Sequence, residues 1–272
     1  MASLLFVLFF ISGLCGLVYE VLWARQLALV LGRTAAAQAL VLCVYMAGLA
    51  LGNAALGRVA DRVRSPLRLY GLLELGVGLL GLLSPALFGG LSGVHLALVQ
   101  GGLAPAAAWA LKAALCVVGL LLPAALMGGT LPALSRHAVR ELSRTQAAVA
   151  SFYSCNSAGA ALGALLSGLW LIPAFGLTWP VYWAGAMNLL VGACAWALAR
   201  GEPPAAAPSS VGEERTDADL SDWQRRLLYG AAFLSGAVAL GYEVAWTRLL
   251  AMVLGSSAYA FCLMLAAFIA GI

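Results

Sequence analysis

The amino-acid sequence predicts an all-α polytopic membrane protein with about eight transmembrane helices. Of its 272 residues, 63% are hydrophobic and only 10% are charged, and the mean hydropathy is +0.97. A soluble domain has roughly 45–50% apolar residues, so this composition indicates a chain that lies mostly in lipid. Long apolar runs recur along the chain, and part of the sequence is repeated. Because open strands cannot satisfy their backbone groups in lipid, each run is predicted to be a helix.

The apolar runs define the predicted spans, because a helix needs about 20 residues to cross about 30 Å of hydrocarbon. The chain divides into a six-helix membrane repeat at residues 1–199, a cytoplasmic linker at 200–225 and the truncated start of a second membrane repeat at 226–272. The linker is rich in proline, alanine, serine and acidic residues and has no apolar period. The predicted spans are residues 3–31, 35–57, 69–92, 107–134, 148–172, 178–199, 226–254 and 258–272.

The start of the chain is repeated near its end. Residues 12–49 recur at 235–272, a shift of 235 − 12 = 223, with 19 of 38 positions identical. An even number of spans precedes the second copy, which predicts parallel repeats related by an axis along the membrane normal, as in the halves of major-facilitator transporters. The last residue aligns with Leu49, inside span 2, so only the start of the second repeat is predicted. The aligned residues include Tyr19, Glu20, Trp23, Arg25 and Gly32, which match Tyr242, Glu243, Trp246, Arg248 and Gly255.

Arginines are unevenly distributed among the connectors. They concentrate after spans 2, 4 and 6, which all lie on one side of the membrane. The positive-inside rule makes that side cytoplasmic and predicts a cytoplasmic N-terminus in a bacterial inner membrane. The net charge of +4 is explained by this topology, and no nucleic-acid surface is predicted. The arginines concerned are Arg58, Arg62, Arg64, Arg68, Arg136, Arg140, Arg144, Arg200, Arg215, Arg225 and Arg226.

Charged residues inside the apolar runs are the candidate functional groups. Glu20 and Arg25 are five positions apart, so their side chains project about 140° from each other and their partners are expected on other helices. The copies Glu243 and Arg248 repeat this arrangement. Two interpretations stay open for both pairs: they fix the angle between spans 1 and 7, or they handle a substrate or proton.

Glu74 is a third acidic residue within an apolar run, near the start of span 3. Its position predicts that the carboxylate snorkels to the cytoplasmic surface beside Arg68. The alternative is a cavity carboxylate that receives a cation. Polar residues in spans 5 and 6, namely Tyr153, Asn156 and Asn188, are predicted to bond between helices.

The connector between spans 2 and 3, "GNAALGRVADRVRSP" at residues 52–66, resembles the cytoplasmic motif of major-facilitator transporters. In that motif an acid at a helix end pairs with a basic residue and latches one conformation. The resemblance implies a latch formed by Gly57, Asp61, Arg62 and Arg64. The alternative is a positive-inside loop with an incidental acid.

Glycine pairs four residues apart occur twice. They are Gly48 with Gly52 and Gly159 with Gly163. Such pairs allow two helix backbones to approach closely in a membrane, so both predict helix contacts and neither predicts a ligand.

Several stretches together resemble the fused major-facilitator/spermidine-synthase proteins of bacterial membranes. They are "FFISGLCGLVYEVLWARQL", "GRVADRVRSPLRLYGLLE", "LLPAALMGGTLPALSR", "FYSCNSAGAALGALLSGLWLIPAFGL" and "SGAVALGYEVAWTRLLAMVLGSSAYAF". The resemblance implies a soluble aminopropyltransferase domain after the membrane region. Residues 1–272 contain no glycine-rich nucleoside-binding turn for such a domain, so no catalytic residue, cofactor or metal site is predicted in this chain.

The function expected from these features is that of a transporter-like or anchoring membrane module that handles polyamines or other small cations. One alternative is a membrane anchor for an aminopropyltransferase encoded downstream, and another is a structural scaffold. The expected partners are the lipid bilayer, a small cationic substrate, and the downstream domain or a complementary half.

Overall fold

The structure, a computed structural model, describes residues 2–32, 34–102, 104–142, 145–201, 221–255 and 258–271. Within these ranges the chain is helical and contains no strand. Seven of the helical segments described are long and apolar enough to cross a membrane, and a shorter apolar helix, Tyr259–Ala270, follows them. The prediction of an all-α polytopic membrane protein with about eight helices is therefore confirmed. The predicted linker at 200–225 falls largely on 202–220, outside the described residues.

The helices follow the predicted spans closely, and two of them are interrupted. Span 4 is divided at Gly129 into α4 and α5, and span 5 passes through a π-helical turn at Ser167–Leu171 before the short α7. Pro85 and Pro123 lie inside helices. Prolines are tolerated in membrane helices because neighbouring groups satisfy the backbone carbonyls that they leave free. In chain order the helices are α1 (Ala2–Leu31), α2 (Ala35–Arg62), α3 (Pro66–Gln100), α4 (Pro105–Gly128), α5 (Thr130–Leu142), α6 (Thr145–Leu166), α7 (Ile172–Phe175), α8 (Trp179–Arg200), α9 (Asp222–Leu254) and α10 (Ala258–Ala270).

Helix starts are set by side-chain caps that the sequence supplies. Thr34 accepts a hydrogen bond from the Ala37 amide at 3.1 Å before α2, and Ser65 accepts one from Arg68 at 3.3 Å before α3. Ser221 and Gln224 form a reciprocal capping box at the start of α9. These caps satisfy amides that have no intrahelical partner.

The first six spans pack in three main pairs: α1 with α6, α2 with α4, and α3 with α8. In span numbers these pairs are 1 with 5, 2 with 4, and 3 with 6. If span 1 is exchanged with span 4, span 2 with span 5 and span 3 with span 6, the first two pairs replace each other and the third stays the same. The pairing is therefore symmetric between spans 1–3 and spans 4–6. Because three is odd, the two triplets cross the membrane in opposite directions, which is the arrangement of an inverted repeat.

Glycines form the closest contacts between these paired helices. A Cβ atom at Gly52 would overlap the backbone of Ala125 in α4, and one at Gly163 would overlap the backbone of Leu14 in α1. Gly48 and Gly159 are equally enclosed, by α4 and α1 respectively. The predicted role of both glycine pairs in helix contacts is confirmed.

The repeated helices α1 and α9 end in the same way but have different surroundings. Gly32 and its counterpart Gly255 both have positive φ, 89° and 82°, a conformation that favours glycine. Helix α1 is enclosed by its neighbours, whereas the buried residues of the described α9 are Glu243 and Thr247. Helix α10 packs on α6 and α9, and thereby joins the start of the second repeat to the first.

Candidate functional site

Glu74 is held at the junction of three helices. Its side chain is 0% exposed. Ser12 of α1 donates a hydrogen bond to Oε1 at 2.5 Å, and the Asn188 amide of α8 donates one to Oε2 at 2.5 Å. Each carboxylate oxygen therefore has its own donor, and the carboxylate ties α1, α3 and α8 together.

The prediction that Glu74 snorkels to the surface is wrong. A snorkelling carboxylate would be partly exposed, whereas this one is enclosed by α1 and α8. Arg68, its expected companion, instead donates from Nη2 to the carbonyl oxygen of Ala199 at 3.3 Å, near the end of α8. The donors Ser12 and Asn188 satisfy the carboxylate inside the bundle, so it gains nothing by reaching the surface.

A cavity of about 470 Å³ lies between the first six spans, and we call it the central cavity. Two carboxylates, Glu20 and Glu74, contribute to its wall. Among the described residues, no lysine, arginine or histidine lines it. The cavity is therefore formally negative and polar on one part of its wall, with apolar residues over the rest. Its uncharged polar side chains are Ser12, Tyr45, Asn53, Thr130, Asn156 and Asn188.

Two buried atoms in the wall of the central cavity have no hydrogen-bond partner within the described part of the chain: Glu20 Oε1 and Asn188 Oδ1. The side chains are 8% and 2% exposed. The Asn188 amide nitrogen donates to Glu74, which leaves its oxygen facing elsewhere. Both unpartnered atoms are acceptors, so a molecule that satisfies them must supply donors or positive charge.

A second, smaller cavity of about 170 Å³ lies where α1 and α2 face α9 and α10, and we call it the inter-repeat cavity. It is lined by Glu20 and by its copy Glu243, which is 4% exposed. Glu20 and Tyr45 line both cavities. The Tyr45 hydroxyl is 3.3 Å from the Gly16 carbonyl oxygen and 3.4 Å from the Met127 sulfur. These two side chains therefore stand where the cavities adjoin.

The predicted arginines also line the inter-repeat cavity. Arg25 lies over the ring of Phe261 in α10, with Cζ 6.0 Å from the ring centroid. This agrees with the expectation that the partners of Arg25 lie on another helix. Arg248, on the exposed α9, completes the set of Glu20, Arg25, Glu243 and Arg248 around one cavity. The structure thus brings together the four charged residues of the repeat, and it places Glu74 in the adjoining central cavity.

The aromatic residues of the repeated motif differ in their surroundings. In the first copy, Tyr19 stacks on Trp23 with ring centroids 4.7 Å apart, and Trp23 Nε1 donates to Ser84 Oγ at 2.8 Å. In the second copy, Tyr242 and Trp246 are 58% and 52% exposed. The two copies therefore share the burial of their glutamate and not that of their aromatic residues.

The predicted cytoplasmic latch contains an ion pair with a residue that the sequence did not assign to it. Asp61 Oδ1 lies 3.4 Å from Arg136 Nε, which joins the end of α2 to α5. Arg62 and Arg64 are exposed, and Gly57 is half-buried opposite Pro132. The sequence indicates for Arg136 only a role in topology. Arg136 lies in α5, an amphipathic helix that continues span 4 through the stretch "GGTLPALSR". This helix brings Arg136 beside Asp61.

Comparison with known proteins gives no assignment. The chain matches no protein-family model, no curated protein sequence and no solved structure.

Proposed function

We propose that this chain is a transporter-like integral membrane module that carries small cations. The observation that supports this function is the wall of the central cavity. Two buried carboxylates line it, and no basic side chain does so among the described residues. A buried carboxylate without compensating charge costs several kcal/mol, so an anionic cavity within lipid favours a cationic ligand.

The hydrogen-bonding capacity of the wall supports the same class of ligand. The unpartnered Glu20 Oε1 and Asn188 Oδ1 both accept hydrogen bonds. An ammonium group donates up to three, and an alkali-metal ion binds oxygen ligands directly. A neutral or anionic ligand supplies no charge that offsets an ionised carboxylate.

The helix arrangement supports transport rather than simple anchoring. The pairing of spans is that of two oppositely directed triplets, and transporters with such repeats bind their substrates near the middle of the bilayer, where the repeats meet. The central cavity touches all six spans of the first repeat. An anchor needs no polar interior.

The finer assignments belong to the same proposal. The arginine-rich connectors support a cytoplasmic N-terminus in a bacterial inner membrane. The resemblance to fused major-facilitator/spermidine-synthase proteins supports polyamines as substrates. Putrescine is therefore the first polyamine to test, and methylammonium is the minimal cation.

The test is uptake of labelled putrescine and methylammonium by proteoliposomes that contain the purified chain. We expect saturable uptake that Glu74→Gln lowers at least about tenfold, a loss of about 1.4 kcal/mol in cation stabilisation. Asp222→Asn, which removes an exposed carboxylate at the start of α9, is the matched control and should leave uptake unchanged. Uptake no faster than into empty liposomes, from well-assembled protein, would refute transport and favour the anchor or scaffold.

A further inference from the structure

We propose that Glu20 and Glu243 form a second site for a small monovalent cation, an ammonium group or an alkali-metal ion, in the inter-repeat cavity. Both carboxylates line that cavity, and they come from equivalent positions of the two repeats. This proposal rests on the proposed function in one respect, because Glu20 also lines the central cavity. Glu243 and Glu74 each belong to one cavity, so the two sites can be tested separately.

The burial of Glu243 is not explained by the packing of its helix. The neighbouring Tyr242 is 58% exposed and Trp246 is 52% exposed, and yet Glu243 is 4% exposed. The buried side chains of the described α9 are this carboxylate and Thr247, and both line the inter-repeat cavity. Buried carboxylates are costly unless they are paired, so a helix that buries little else has a specific reason to bury this one.

Glu20 lines both cavities and has a buried acceptor that a cation in either cavity can satisfy. Its Oε1 atom has no hydrogen-bond partner among the described residues, although Glu20 is only 8% exposed. Native structures leave few buried polar atoms unsatisfied. A cation at this position would satisfy Glu20 and would also offset the repulsion between the two repeat-related carboxylates.

The two arginines of the cavity lie beyond the carboxylates along their own helices. Arg25 lies five positions beyond Glu20, about 7.5 Å along the helix axis. Its guanidinium is over the Phe261 ring, and Arg248 is exposed on α9. Glu20 and Tyr45 lie where this cavity adjoins the central cavity. The cation binds there, beside the two carboxylates.

This arrangement places the two sites in series. A cation that leaves Glu74 in the central cavity meets Glu20 next, and Glu20 also lines the inter-repeat cavity with Glu243. Tyr45 lies at the same junction, with its hydroxyl held by α1 and α4. The second repeat thus contributes a cation ligand to a path that begins in the first.

The first test is the binding stoichiometry of labelled methylammonium on the purified full chain, with labelled sodium as a parallel arm. We expect two bound equivalents for the wild type and for Asp222→Asn, and one for Glu243→Gln. Glu74→Gln should lose the other equivalent. Two equivalents retained by Glu243→Gln would overturn the second site and leave the transport proposal intact. Loss of one equivalent from a protein that transports nothing would keep the site and refute transport. Binding of only one of the two probes identifies the cation as ammonium or alkali metal.

A second test uses the intact carboxylates, in case Glu243→Gln does not fold. Thr247 lines the inter-repeat cavity one helical turn beyond Glu243, so Thr247→Cys in a cysteine-free background reports on occupancy beside that carboxylate. We expect methylammonium to slow labelling by a cationic thiosulfonate. Asp222→Cys, at the exposed start of α9, should be labelled at the same rate with or without methylammonium. Labelling of Thr247→Cys that methylammonium does not slow would overturn the second site.

Discussion

The hydrogen bonds to Glu74 predict a measurable loss of stability when either donor is removed. Ser12→Ala removes the donor to Oε1, and Asn188→Ala removes the donor to Oε2. A hydrogen bond to a charged group contributes about 1.5–3 kcal/mol, so each variant should lose about that much free energy of unfolding. Asn188→Ala should lose more, because its side chain is fully enclosed and its removal also leaves a space.

The assay is reversible unfolding of the purified protein in mixed micelles. Ser92→Ala is the matched control, because the Ser92 hydroxyl donates to the Phe88 carbonyl of its own helix at 2.7 Å and ties no second helix. It should change the free energy of unfolding by less than about 0.5 kcal/mol. If Ser12→Ala and Asn188→Ala both unfolded like this control, Glu74 would not be the junction of α1, α3 and α8.

Further predictions concern the helix contacts and the latch. Gly52→Leu should lower the free energy of unfolding by about 3 kcal/mol or more, because the added atoms overlap the α4 backbone at Ala125. Gly230→Leu, which meets open space, should not shift the elution profile or the unfolding midpoint, and a similar shift for both variants would contradict the contact. Asp61→Asn should lower the free energy of unfolding by less than about 1 kcal/mol, because Asp61 and Arg136 are 63% and 39% exposed. If the ion pair acts as a latch, the same variant should nevertheless slow uptake. The exchange Asp61→Arg with Arg136→Asp should restore uptake, and no recovery would argue against a latch.

The helices could be predicted from the sequence because membrane spans are determined locally. Run length alone located every apolar span, and the glycine pair at Gly159 and Gly163 identified a real backbone contact. The apolar run predicts that span 3 ends at residue 92, whereas α3 continues to Gln100. Residues 93–100 contain glycine and histidine, which weakens the apolar signal without breaking the helix.

The surroundings of the charged residues could not be predicted in the same way. The sequence favours a surface position for Glu74, because its nearest charge in sequence is Arg68. Its donors, Ser12 and Asn188, are 62 and 114 positions away in the sequence. A serine or an asparagine can donate to many acceptors, so its presence in the sequence does not indicate a carboxylate partner. The choice between snorkelling and burial depends on which helices pack together, which a single sequence does not reveal.

The repeat was the strongest predictor of the site. The shift of 223 positions related Glu20 to Glu243, and the structure places both in one cavity. The repeat could not indicate that the aromatic neighbours differ in exposure, because Tyr19 and Trp23 are covered by α3, where Gly81 and Ser84 contact them. Equivalent residues share backbone conformation, and burial depends on tertiary contacts.

Equilibrium binding of labelled methylammonium and putrescine to the purified chain and to its Glu20→Gln/Glu74→Gln variant decides whether the central cavity binds cations. This variant removes both carboxylates of the central cavity and leaves its shape nearly unchanged. We expect saturable binding of at least one of the two cations by the wild type and no binding in the central cavity of the variant. Equal binding by both proteins, or none by the wild type, would contradict the assignment of the central cavity as a cation site.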